Sequence, residues 1–98
     1  MSKNTSPPTP PTVTVVLPAI FVSLFPDSLR RVDLAASTVG DVLDALDSRW
    51  PGMRDRLRDS TPRIRRHINI FVGGRRATLE THLTPGAKVY VLTAMSGG

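Results

Sequence analysis

The chain has no cysteine, and that one absence removes disulfides, thiolate metal sites and a cysteine nucleophile together. Aromatic residues are scarce as well, with one Trp, one Tyr and three Phe. The two histidines, His67 and His82, are too few and too far apart in sequence to suggest a metal site. Carboxylates are outnumbered: eight acidic residues face thirteen basic ones, of which only Lys3 and Lys88 are not arginine, for a net charge of +5. Such a balance suits a nucleic-acid surface, an acidic protein partner or a nucleotide-loaded enzyme, and does not choose among them. No long apolar run is present. Val13–Phe25, apolar except for Thr14, Pro18 and Ser23, is shorter than the roughly 20 residues a spanning helix needs. It lacks a preceding basic region and a following small-x-small site. The expectation is a cytoplasmic protein with no membrane partner and, lacking an aromatic-basic strand signature or a recognition helix, no nucleic-acid partner.

What is present fits one domain of about 85 ordered residues, which leaves little room for a deep cleft. Residues 1–12 hold Pro7, Pro8, Pro10 and Pro11 among Ser, Thr and Asn, and read as a disordered Pro-rich tail or a polyproline ligand. Val13–Leu17, β-branched and stopped by Pro18, reads as a strand followed by a loop over Ala19–Pro26. Asp27-Ser28 reads as a turn, and Arg30–Leu34 alternates with Val32 and Leu34 inward. Thr38, with Asp41 three residues on, caps a helix whose apolar stripe is Val39, Val42, Leu43, Leu46 and Trp50. Asp41, Asp44 and Asp47 fall on its solvated face and do not form a catalytic pair. Pro51-Gly52 ends the helix; Met53 and Leu57 suggest a further short helical turn, and Arg54–Arg66 reads as a solvated connection.

His67–Val72 alternates with Ile68, Ile70 and Val72 inward, and Gly73-Gly74 turns it into a short strand over Arg75–Leu79. Thr84-Pro85-Gly86 is a further turn before the last strand, Lys88–Thr93. A main helix between two strands and three more strands gives an α+β, β-grasp (ubiquitin-like) arrangement: a mixed sheet of four to five strands with the helix on one face, over residues 13–94. The first and last strands are expected to be parallel neighbours at its centre. Met95, Ser96, Gly97 and Gly98 then form a side-chain-poor tail. Without a Cβ, Gly97-Gly98 fits a slot too narrow for other residues, and it presents an α-carboxylate that is inert until activated.

Strand parity also predicts a surface. If Val13, Val15 and Leu17 face the helix, then Val16, Phe71, Tyr90 and Leu92 lie together on the opposite face of the sheet. Such a cluster fits a protein-docking face, unless the Ala19–Pro26 loop covers it.

Three segments, Val13-Thr14-Val15-Val16-Leu17-Pro18, His67–Val72 and Leu83–Val89 leading to Gly97-Gly98, resemble the MoaD/ThiS family of ubiquitin-like sulfur carriers, which includes the molybdopterin-synthase small subunit and the thiamine and cysteine-biosynthesis carriers. The resemblance spans Val13–Gly98. It departs from the usual pattern at Gly86-Ala87, where Gly-Asp is common, at Thr93-Ala94, where a proline commonly follows the strand, and in its basic charge. The resemblance implies that Gly98 is the adenylated, sulfur-carrying terminus and that Met95, Ser96 and Gly97 enter the activating enzyme's slot. It implies a ubiquitin-activating-type adenylating enzyme as partner, which uses ATP. A persulfide or sulfide would displace AMP to leave a thiocarboxylate, whose sulfur passes to an accepting synthase. The chain itself would bind no cofactor or metal and have no catalytic residues. Three other readings stay open: a protein modifier conjugated through Gly98, a basic nucleic-acid-binding domain, and a β-grasp protein that binds partners without being activated.

Overall fold

The computed structural model describes residues 9–93, arranged as a five-stranded mixed sheet with helices on one face. Alternating β-branched residues build the first strand, β1 (Thr12–Val16), whose Val13 and Val15 are buried. It begins one residue before the expected Val13, and the carbonyl of Pro11 accepts from the Ala36 N–H at 3.0 Å. Pro18 does not open a loop. It stands at φ −70° before a six-residue helix, α1 (Ala19–Leu24), where its missing N–H leaves no hydrogen bond unmade. Phe21 goes into the core and packs 6.2 Å from Phe25, centroid to centroid.

The second strand, β2 (Arg31–Ala35), runs antiparallel to β1 with Val32 and Leu34 buried. The main helix, α2 (Val39–Arg49), starts as its sequence directs: the Thr38 hydroxyl accepts from the Asp41 N–H at 3.2 Å. The Asp41 carboxylate reaches back to the Ser37 N–H at 3.3 Å, a variant of the capping box. Val39, Val42, Leu43 and Leu46 are all buried against the sheet, and fully burying a side chain of this size contributes about 1.5–3 kcal/mol. Trp50 is only half-buried at the edge of the core, and its indole N–H donates to the Asp27 carbonyl at 3.2 Å.

Residues 54–66 are more ordered than a solvated connection. Helix α3 (Met53–Leu57) buries both its ends, and Arg58 and Ile64 then form a β-bridge. Asp59 closes the turn between them by accepting from the N–H groups of Thr61 and Arg63 and from the Thr61 hydroxyl.

Strand β3 (Ile68–Val72) turns through Gly73 and Gly74, at φ 60° and 79°, into β4 (Arg75–Arg76). Two consecutive positive φ angles make this a tight hairpin turn. β4 stops at Arg76 rather than reaching Leu79 because the chain leaves the sheet for the start of α2. There the Leu79 and Thr81 carbonyls accept from the Gly40 and Val39 N–H groups at 2.9 and 3.0 Å. Those donors have no partner within the helix, and the detour satisfies them. Thr84-Pro85-Gly86 then turns the chain into β5 (Lys88–Thr93). The strand order is β2-β1-β5-β3-β4, with β5 parallel to β1 and antiparallel to β3.

Candidate functional site

The site expected from the sequence has two parts, the residues after β5 and the sheet face opposite the helices. Met95, Ser96, Gly97 and Gly98 lie outside the described residues. The last described residue, Thr93, ends β5 in the middle of the sheet and pairs with Ile68 at the start of β3. Around that end of the sheet lie Leu17, Arg30 before β2, and Arg66 and His67 before β3. The Arg30 side chain donates to the Leu17 carbonyl at 3.2 Å. Arg66 and His67 are exposed.

The second part is assembled by register. Val16 pairs with Tyr90, Tyr90 with Phe71, and Asn69 with Leu92. Val13, Val15, Ile70, Val89 and Val91 are buried beneath the helices, so Val16, Phe71, Tyr90 and Leu92 share the opposite face, as period-two alternation requires. Tyr90 and Leu92 are 40% and 45% exposed, while Val16 and Phe71 are half-buried between their strand neighbours. Segment 19–26 does not cover this face. Phe21 and Phe25 pack into the core on the helix side, and Asp27 is tied to Trp50.

Register also brings in two residues that sequence reasoning did not place there. Val16 pairs with Arg31 on β2, and Phe71 pairs with Arg76 on β4. A single row therefore crosses all five strands: Arg31, Val16, Tyr90, Phe71, Arg76. One signal was available for Arg31, since the alternation that turns Val32 and Leu34 inward turns Arg31 outward. The identity of its cross-strand neighbour was not, because that depends on pairing.

Elsewhere the ionisable groups serve the scaffold. Arg54 bonds Asp44 at 2.7 Å and lies 3.7 Å from Asp47. The hydrogen bond it donates to the Asp44 carboxylate raises its pKa above the ordinary arginine range, with the charge of Asp47 adding to it. Asp59 is held below the ordinary carboxylate range, first by the Thr61 hydroxyl and then by the backbone N–H groups of its turn. Among the described residues no three His, Asp or Glu side chains gather in a way that could hold a metal ion. None of their helices is long and apolar enough to cross a membrane.

Comparison with known proteins agrees with this geometry. The ThiS family model matches residues 15–98. A chain of the BexX/CysO complex of Amycolatopsis orientalis is 28% identical and superposes with a TM-score of 0.78, over 88% of this chain and 99% of its own. CysO of Mycobacterium tuberculosis is 27% identical with a TM-score of 0.76, over 85% and 99% of the two chains. Small archaeal modifier protein 1 of Haloferax volcanii is 27% identical with a TM-score of 0.73, over 89% and 99%. No curated protein matches the chain in sequence.

Proposed function

The chain belongs to the ThiS family, and from that premise we propose that it is a sulfur carrier whose substrate group is the α-carboxylate of Gly98. The observation that carries this reading is that the family match runs through the Gly97-Gly98 pair to residue 98. A carboxylate is a poor electrophile because its charge is delocalised and its leaving group would be oxide. An adenylating enzyme of the ubiquitin-activating type, a partner of this chain, removes both obstacles. A Gly98 oxygen attacks the α-phosphorus of ATP, pyrophosphate leaves, and the carboxyl becomes a mixed anhydride with AMP. Hydrosulfide then adds to the carbonyl carbon and AMP departs with the anhydride oxygen, leaving a thiocarboxylate. Its sulfur attacks the substrate held by an accepting synthase and displaces a leaving group there to form a thioester. Water then hydrolyses the thioester at the Gly98 carbonyl, which leaves the sulfur on the substrate and returns the carboxylate.

Apart from Gly98, whose carboxylate is the reacting group, the residues of this chain bind and present. Met95, Ser96 and Gly97 are the segment that enters the partner's slot, and Gly97 leaves it free of side-chain bulk. Val16, Phe71, Tyr90 and Leu92 are the docking face, with the aromatic pair as anchors. The test uses the purified chain, the adenylating enzyme of the same organism, ATP and sulfide. Pyrophosphate release and a mass gain equal to the exchange of one oxygen for sulfur are expected, and both should vanish when Gly98 is deleted or Gly97→Val is introduced. Sulfur delivery that survives the Gly98 deletion would refute the reading. The likeness to small archaeal modifier protein 1 supports a second outcome of the same adenylate: attack by a lysine amine instead of sulfide. Chain linked through Gly98 to other proteins in the native cell would select it.

A further inference from the structure

On the carrier reading above, we propose that the open sheet face selects a protein partner whose contact surface is apolar at its centre and bears carboxylates at two opposite margins, and that Arg31 and Arg76 are the specificity-determining residues that read them. The row across the sheet has charge at both ends and apolar side chains between. Arg31 pairs with Val16, Val16 with Tyr90, Tyr90 with Phe71, and Phe71 with Arg76. With neighbouring strands about 4.8 Å apart, the two arginine backbones stand about 19 Å from each other. Both residues are exposed. Among the described residues neither has a carboxylate within ion-pairing distance; Arg54 alone is so paired. A guanidinium left free at each end of an apolar strip is suited to bidentate pairing with a partner's carboxylate.

The face also carries features that a polyanion would not favour. Its next row sets the Asp33 carboxylate, which accepts from the Thr14 hydroxyl at 2.7 Å, against Lys88 on the other side of Thr14, so that row adds no net positive charge. Phe71 is half-buried between strand neighbours, whereas a base-stacking sheet needs open ring faces. Leu92 and Val16 add aliphatic surface, which suits a protein contact. Charged margins of this kind act chiefly on encounter rate and on rejection of wrong partners. The two sites are separated by more than the Debye length of about 8 Å at physiological salt, so their contributions should be independent.

The experiment measures the KM for this chain in pyrophosphate release by the adenylating enzyme of the same organism, with Arg31→Glu, Arg76→Glu and the double variant. Arg63→Glu, in the turn after α3, makes the same change in net charge away from the face. Each single reversal at the face is expected to raise KM about ten-fold with kcat retained, the double variant to show the product of the two, and Arg63→Glu to leave KM within about two-fold. The wild-type KM should rise from low to high salt, and the double variant should lose most of that dependence. Melting temperatures equal to wild type confirm that the exposed substitutions leave the fold intact. A KM unmoved by the face variants, or moved equally by Arg63→Glu, overturns the selective role while leaving the carrier reading in place. Absence of pyrophosphate release with wild-type protein overturns the carrier reading and this partner with it. Tight binding of a fluorescent single-stranded oligouridine that is lost in Arg31→Glu and Arg76→Glu would assign the face to nucleic acid instead.

Discussion

Asp47 Oδ1 accepts from two backbone N–H groups, those of Gly52 at 3.0 Å and Arg54 at 3.1 Å. One side chain of α2 thereby organises the first turn of α3. Read from the sequence, Asp47 is one of three acidic residues on a solvated helix face, and nothing in a helical projection marks it as different. Its partners come from the next helix, so its role depends on how Pro51-Gly52 turns the chain. Asp47→Ala is expected to destabilise the domain by about 1–2 kcal/mol, the loss of two bonds to a charged acceptor being partly offset by solvation. Asp47→Asn keeps an oxygen at the same position and should recover most of that loss, as read from urea denaturation midpoints. Equal losses in the two variants would mean that the charge facing Arg54 matters more than the backbone bonds.

Between elements, the most informative contact is the close approach of segment 77–83 to the start of α2. Gly40 makes it possible: a Cβ there would lie 3.2 Å from the Leu79 carbonyl oxygen, which also accepts from the Gly40 N–H. Gly40→Val should cost about 1–3 kcal/mol through overpacking. In Gly40→Ala the gain of roughly 0.5–1 kcal/mol in helix propensity offsets part of a smaller clash. Amide exchange at positions 39 and 40 should quicken in the Val variant if the contact is broken. This detour also explains what the sequence could and could not reveal. The inward parity of Val13, Val15, Ile70, Val89 and Val91 was legible because strand periodicity is local and the buried positions are β-branched or aliphatic. The cap at Thr38 and the turn at Gly73-Gly74 were legible for the same local reason. The early end of β4 was not, because its cause is a set of unpaired helix donors some forty positions earlier in the chain. Helix α1 was missed because a proline can end an extended segment or stand before a helix, and the burial of Phe21 decides between them. Arg31 and Arg76 became neighbours of the apolar cluster only through strand register.

Across the whole molecule, the sheet reaches further toward the N-terminus than the apolar pattern of the sequence suggested. Thr12 belongs to β1, its carbonyl accepts from the Gly86 N–H at 2.9 Å, and that of Pro11 accepts from Ala36. A chain beginning at Pro10 should therefore melt at the wild-type temperature. One beginning at Val13 loses both bonds, worth about 1–3 kcal/mol together, and should melt on the order of 10 °C lower. Calorimetry of the two truncations separates these outcomes, and equal melting temperatures would show that the two carbonyl contacts contribute little. The placement of β5 has a mechanical consequence as well. β1 and β5 run parallel, side by side in the middle of the sheet. Tension applied between the start of β1 and the end of β5 pulls the two strands past each other along their length. Their hydrogen bonds, and those of β5 to β3 on its other side, then share the load instead of opening one at a time. A domain gripped by its C-terminal tail resists extraction through the very strand that presents that tail.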